Sequence, residues 1–106
     1  MTPATPFEVF VDVDGVCVVR GELDQHTGTG LQSLLTEHPD ITCVDLGEVS
    51  FVDSAGLRVL LVIRHAREER GTGLHVRRSS SAVRRVMRLA GVTHLFAYQP
   101  GSTAAG

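Results

Sequence analysis

The spacing of apolar residues changes repeatedly along this chain, and each change separates a strand-like segment from a helical one. Residues 7–13 alternate between apolar and polar side chains, which is typical of a strand with one wetter face. Asp14-Gly15, a dipeptide preferred in two-residue hairpin turns, then leads into the apolar run of residues 16–19. We therefore expect the chain to begin with a β-hairpin.

Helical and strand-like patterns alternate after this hairpin. Leu31, Leu34 and Leu35 share one helical face, and Pro39 follows that helix. The predicted segments are a helix over 24–38, a strand over 41–46, a helix over about 55–70, a strand over 74–77, a helix that begins at 79–81 and stops at Gly91, and a last strand over 93–98. The order ββαβαβαβ predicts an α/β fold, with a mixed β-sheet, an N-terminal hairpin and helices packed on the sheet.

Length and composition favour one domain. The chain has 106 residues, of which 42% are hydrophobic and 21% charged, so we expect one domain over 7–98 with flexible ends at 1–6 and 99–106. No apolar run is long enough to span a membrane, and the N-terminus lacks the pattern of a secretory signal. Cys17 and Cys43 lie inside apolar runs, so we expect reduced core thiols and a cytoplasmic protein.

Charge is divided unevenly between the two halves of the chain. Residues 1–53 contain ten acidic residues and one arginine, whereas residues 54–106 contain two acidic residues and nine arginines. Such a division either marks a surface for a charged partner or is neutralised inside the fold.

Residues 52–57, with the sequence Val-Asp-Ser-Ala-Gly-Leu, form the segment whose residue types most strongly suggest a functional site. Asp53 and Ser54 lie where a strand leads into the N-terminus of a helix. Unsatisfied N–H groups and the helix dipole favour an anion at such an end. Alternatively, Asp53 or Ser54 merely caps the helix, as these residue types commonly do.

These residues resemble the Asp-Ser-Ser/Thr-Gly-Leu-Gly signature of anti-sigma-factor antagonists, which belong to the STAS domain family. Residues 21–27, Gly-Glu-Leu-Asp-Gln-His-Thr, resemble a second family segment, Gly-Glu-Leu-Asp-x-x-Thr, that enters the first family helix. The spacing of the two motifs and the order ββαβαβαβ agree with the family over nearly the whole chain. The resemblance therefore implies a STAS-like domain over 7–98.

The resemblance implies a binding module without catalytic residues, cofactor or metal ion. Unphosphorylated antagonists bind an anti-sigma factor, often a serine kinase with an ATP-binding fold, and so release a sigma factor. Phosphorylation of the loop serine, here Ser54, ends this binding, and a phosphatase restores it. The partner-binding residues that the resemblance implies are Asp24, Asp53, Ser54, Gly56, Leu57 and Arg58. Asp24 and Asp53 would contact the partner or orient the acceptor hydroxyl, and a homodimer stays an open alternative.

The sequence departs from the family pattern at two positions in this segment. Ala55 replaces the second serine or threonine, so Ser54 is the only acceptor in the loop. Arg58 replaces a glycine, and it would contact either a phosphate or an acidic partner. The family also usually ends with a fourth helix, but residues 99–106 are short and rich in small side chains, so we expect that helix to be reduced.

The sequence leaves two alternative functions open. One is a STAS module that acts as a sensor or scaffold within a stress-signalling complex. The other is a nucleic-acid binder that uses the basic cluster Arg77, Arg78, Arg84, Arg85 and Arg88. The solvated face of a helix capped by residues 79–81 is the favoured interpretation of these arginines, and few aromatic residues lie nearby, so direct nucleic-acid binding is not expected. Hydrolase, metal and nucleotide-binding motifs are missing from the sequence.

Overall fold

One mixed sheet, with its strands in the order β1–β2–β3–β4, organises residues 6–96, which are the residues that the computed structural model describes. The elements are β1 (Glu8–Val11), β2 (Cys17–Leu23), α1 (Gln25–Glu37), β3 (Cys43–Val52), α2 (Ser54–Glu69), β4 (His75–Ser79), α3 (Ser81–Ala90) and a 3-10 turn (Thr93–Leu95). The predicted α/β class, the N-terminal hairpin and the three helices are confirmed.

The strand pairing determines where the chain can form a site. β1 pairs with β2 in antiparallel fashion, while β2, β3 and β4 run parallel to one another. The two crossovers therefore step in the same direction across the sheet, and α1 and α2 pack against each other. The N-termini of all three helices follow the carboxyl ends of β2, β3 and β4, the edge where parallel α/β sheets usually bind ligands.

The core lies between the strands and the three helices. Its fully buried members include Val19, Val44 and Leu46 from the sheet and Leu31, Leu60 and Val83 from the helices. The expected burial of both cysteines is confirmed, since Cys17 and Cys43 lie inside the sheet as thiols. Among residues 6–96, no helix is long and apolar enough to cross a membrane.

The prediction of a strand over 93–98 was wrong for its first three residues, which form the 3-10 turn. Gly91 adopts φ 72°, and the N–H of Val92 donates to Met87 O at 3.0 Å, so the chain folds back over the end of α3. Phe96 then enters the core. An apolar run this short could not be told from a turn by its period alone. Residues 97 and 98, nearly all of the predicted flexible ends and the proposed reduced helix lie outside the described residues.

Candidate functional site

Two acidic residues meet at the carboxyl edge of the sheet because β2 and β3 end side by side. Leu23 is the register partner of Val52, and Asp24 and Asp53 follow these two residues. The N–H of Asp53 also donates to the carbonyl oxygen of Leu23 at 3.3 Å. The sequence motifs at 21–27 and 52–57, which are far apart in the chain, are therefore adjacent in space.

Asp24 forms a capping box at the start of α1. Its Oδ1 accepts a hydrogen bond from the Thr27 N–H at 2.9 Å, and the Thr27 Oγ1 accepts one from the Asp24 N–H at 2.9 Å. The bond from the Thr27 N–H holds the pKa of Asp24 below its usual range, against a smaller opposing effect of desolvation. Asp24 is thus an ionised side chain with a fixed orientation. The partner contact expected of it stays a prediction.

Asp53, and not Ser54, caps α2. The Asp53 Oδ1 accepts a hydrogen bond from the Gly56 N–H at 2.8 Å, and Asp53 itself is extended, as an N-cap residue should be. Ser54 is the exposed first residue of the helix. Its hydroxyl makes no hydrogen bond to any residue of the described part of the chain. The alternative that the motif only caps a helix therefore accounts for Asp53 and leaves Ser54 without a structural role.

Gly56 and Leu57 lie on the buried side of α2 and pack this helix against the sheet. A Cβ atom on Gly56 would lie 2.2 Å from the carbonyl oxygen of Leu23, so only glycine permits this approach of helix to strand. Leu57 is 7% exposed and belongs to the core. The structure gives both residues internal contacts, and their expected partner contact stays a prediction.

A shallow groove of about 480 Å³ lies between the first turns of α1 and α2. It is lined by Gln25, Thr29, Ser54, Ala55, Arg58 and Val59. Arg58 is exposed and forms no ion pair with another residue in the range 6–96. A second hollow of about 550 Å³, lined by Phe7, His26, Thr27, Thr29 and Gly30, adjoins it at Thr29. The groove beside Ser54 thus combines a hydroxyl, a cation, neutral polar side chains and the apolar side chains of Ala55 and Val59.

Two of the five arginines of the basic cluster, Arg77 and Arg78 in β4, are neutralised by acidic residues of the N-terminal half. The carboxylate of Asp45 is fully buried and accepts hydrogen bonds from Arg77 Nη2 at 2.7 Å and Arg78 Nε at 2.9 Å. Arg77 also pairs with Asp12 at 2.8 Å. For these residues, the uneven division of charge along the sequence serves internal pairing. The basic residues on the surface of α3 are Arg84, Arg85 and Arg88.

The interpretation of residues 79–81 as a helix cap is confirmed. Ser80 is the N-cap of α3 and accepts a hydrogen bond from the Val83 N–H at 3.2 Å. Among residues 6–96, no group of three or more His, Cys, Asp or Glu side chains is placed to hold a metal ion.

A buried arginine in α2 was not among the residues predicted from the sequence. Arg67 is 3% exposed, and its guanidinium donates to carbonyl oxygens around the C-terminal end of α1 and the loop that follows it. The acceptors are the backbone oxygens of Leu35, His38, Pro39 and Ile41. The signal was present, because Arg67 continues the helical stripe of Leu60 and Ile63 that faces the core.

Comparisons with known proteins agree with this architecture. The family model described as Mlab, STAS domain, matches residues 8–97. The anti-sigma factor antagonist SpoIIAA in its unphosphorylated form superposes with a TM-score of 0.67 at 21% identity, over 93% of this chain and 92% of its own. An anti-sigma factor antagonist from Mycobacterium paratuberculosis superposes with a TM-score of 0.66 at 30% identity, over 90% of this chain and 85% of its own.

The phosphorylated form of SpoIIAA, described as a Bacillus cell fate determinant, superposes with a TM-score of 0.56 at 21% identity, over 93% of this chain and 96% of its own. A search among curated proteins gives no significant match. The fold and the site edge thus define a STAS domain of the kind found in anti-sigma factor antagonists. The chain belongs to the STAS domain family.

Proposed function

We propose that this chain is an anti-sigma factor antagonist that binds an anti-sigma factor with serine-kinase activity and loses this binding when Ser54 is phosphorylated. The observation that carries the proposal is that Asp53 caps α2 whereas Ser54 is exposed and does not take part in the cap. Asp53 supplies the helix cap, so the exposed Ser54 hydroxyl is left available, and the motif resemblance matches Ser54 to the phosphorylated serine of the family. The solved proteins with this fold include anti-sigma factor antagonists, one of them in a phosphorylated form, which supports a role under phosphorylation control.

The charge change at Ser54 is large enough to switch an interface. A phosphate adds about −1.5 to −2 charge, next to Asp53 and at the edge that also carries Asp24. The helix N-terminus favours that charge by only about 0.3–1 kcal/mol. Two like charges about 4 Å apart repel by about 4 kcal/mol at an effective dielectric constant of 20. If a third of such a repulsion acts between the phosphate and a negative group of the bound partner, the affinity falls about tenfold.

The switch acts on the interface and leaves the fold unchanged. The cap bond from Gly56 to Asp53 and the seating of Gly56 on Leu23 do not involve the Ser54 side chain. Phosphate therefore enters a surface groove without displacing a packed group. Desolvating a dianion where the partner previously met the neutral Ser54 hydroxyl adds to the loss of binding.

In this proposal the chain is a substrate and performs no reaction of its own. A kinase phosphorylates Ser54, a phosphatase removes the phosphate, and both steps take place in the cytoplasm.

Nucleic-acid binding has less support, since Arg77 and Arg78 form ion pairs with Asp45.

A phosphorylation assay tests the assignment of Ser54. The full chain is incubated with ATP and each ATP-binding anti-sigma kinase encoded in the same genome, and the products are mapped by mass spectrometry. We expect one phosphate on Ser54, none on Ser54→Ala, and full phosphorylation of Ser81→Ala. Ser81 is the matched control because it is also an exposed first residue of a helix. Phosphate on Ser54→Ala, or no phosphate from any kinase, would overturn the proposal.

A further inference from the structure

Arg58 lies one helical turn beyond Ser54 on the same face of α2. The two residues are four positions apart, a spacing at which side chains on a helix surface meet. Both line the groove between α1 and α2. Arg58 is exposed, and within residues 6–96 no carboxylate pairs with it. The first turn of α2 contains no acidic residue that could compete for it. Among the described residues, the guanidinium of Arg58 therefore has no anionic partner before Ser54 is modified.

We propose that Arg58 is the internal receptor of the phosphate on Ser54. This inference rests on the proposed function, because it assumes that Ser54 carries a phosphate. Phosphorylation then has two effects at one position, since it adds negative charge and also withdraws the cation of the groove from a partner. Before phosphorylation, the same guanidinium is free to bind a carboxylate of the anti-sigma factor.

The chemistry of the two groups fits this assignment. A planar guanidinium offers two parallel N–H donors that match two phosphate oxygens, which a lysine ammonium cannot do. The anion precedes the cation along the helix, which is the favourable order for a pair four residues apart. Arginine near a helix N-terminus is otherwise disfavoured by the helix dipole, and a phosphate at Ser54 removes this disadvantage.

A phosphorus NMR titration of the full chain tests the pair without a kinase or a partner. Phosphoserine is installed at position 54 by genetic code expansion, and its second pKa, ordinarily about 6, is read from the ³¹P shift. We expect Arg58→Gln to raise this pKa by about 0.2 to 0.4, because it removes a cation that stabilises the dianion. Arg58→Lys should give a smaller rise.

Arg70→Gln is the matched control, with the same loss of charge. Arg70 is exposed at the C-cap of α2, 16 residues after Ser54, which is about 24 Å along the helix axis. We expect it to change the pKa by less than about 0.1, since salt at physiological strength screens charges beyond about 8 Å. In 1 M NaCl the difference between wild type and Arg58→Gln should shrink.

Equal pKa values for wild type and Arg58→Gln, with both proteins folded by circular dichroism, would overturn the role of Arg58. That result would leave the kinase assay at Ser54 unaffected. Conversely, failure of the kinase assay would not alter this titration, because the phosphoserine is installed during translation. The two proposals can therefore fail separately.

Discussion

The backbone of Gly56 lies so close to Leu23 that an added Cβ would stand 2.2 Å from the Leu23 carbonyl oxygen. This contact joins the first turn of α2 to the end of β2. It fixes the distance between the segment that carries Ser54 and the segment that carries Asp24. The geometry of the proposed switch therefore depends on a residue without a side chain.

Substituting Gly56 should destabilise the protein, while the matched change in α1 should not. Gly56→Ala forces the start of α2 away from β2, at a cost of about 1–3 kcal/mol in the free energy of unfolding. Gly30 lies in α1, and an added Cβ there would have no atom within 4 Å, so Gly30→Ala should stabilise by about 0.5–1 kcal/mol. Urea unfolding of both variants measures the difference, and equal stabilities would contradict the close contact.

Arg67 should be among the most sensitive positions outside the site. Arg67→Met keeps the aliphatic part of the side chain but leaves the carbonyl oxygens at the end of α1 without their donor. We expect a loss of about 2–4 kcal/mol in unfolding free energy. Arg70→Met is the control, because Arg70 is an exposed arginine of the same segment. The charge of Arg70 does lower the pKa of Arg67, but the desolvation of Arg67 lowers it more. Thermal denaturation that is unchanged in Arg67→Met would show that its buried contacts do not matter.

The prediction from sequence succeeded where a pattern was local and failed where it depended on distant partners. The hairpin, the three helices and the Ser80 cap follow from period, turn and capping signals. The pairing of Asp45 with Arg77 does not, because it joins residues 32 positions apart on two strands and depends on the register of those strands.

The site was predicted only in part for the same reason. The sequence placed Asp53 and Ser54 at a helix start, but it left open which of them forms the cap. It also grouped Gly56 and Leu57 with partner-binding residues, whereas their visible contacts are internal. The sequence could not show that Arg58 is unpaired within residues 6–96, because this depends on which side chains of other segments lie near it.

Stability should fall in acid because of Asp45. Burial acts to raise its pKa, but hydrogen bonds from Arg78, the Gly47 N–H and Arg77 outweigh this and hold the pKa below its usual range. A carboxyl whose pKa is lower in the folded state contributes its stability above the unfolded value of about 3.9. That contribution is lost as the pH falls through the lower folded value.

Urea unfolding between pH 7 and pH 2.5 measures this dependence. We expect constant stability from about pH 7 to 5 and a decline below about pH 4. Asp45→Asn should be less stable at pH 7 by about 2–3 kcal/mol, since the hydrogen bonds to a charged acceptor are lost. It should also decline less steeply in acid, where Asp12 and Asp24, whose pKa values are also lowered, still contribute. Parallel pH profiles of the two proteins would contradict the assignment to Asp45.

Both cysteines should resist thiol reagents in the native protein. Burial raises the pKa of the Cys17 thiol to about 11 and also raises that of Cys43, so little reactive thiolate exists at neutral pH. We expect negligible reaction with Ellman's reagent at pH 7.5 and reaction of two thiols per chain in guanidinium chloride. Rapid native labelling would show that the sheet opens or is packed differently.

The central claim is that phosphate on Ser54 ends binding to an anti-sigma kinase without altering the fold. Isothermal titration of the kinase that phosphorylates Ser54 should be made with wild type, phosphoserine at position 54, Ser54→Asp and the neutral control Ser54→Asn. We predict that wild type and Ser54→Asn bind, that the two charged forms bind at least about tenfold more weakly, and that all four melt at similar temperatures. Equal affinity of wild type and the phosphoserine form would contradict the account.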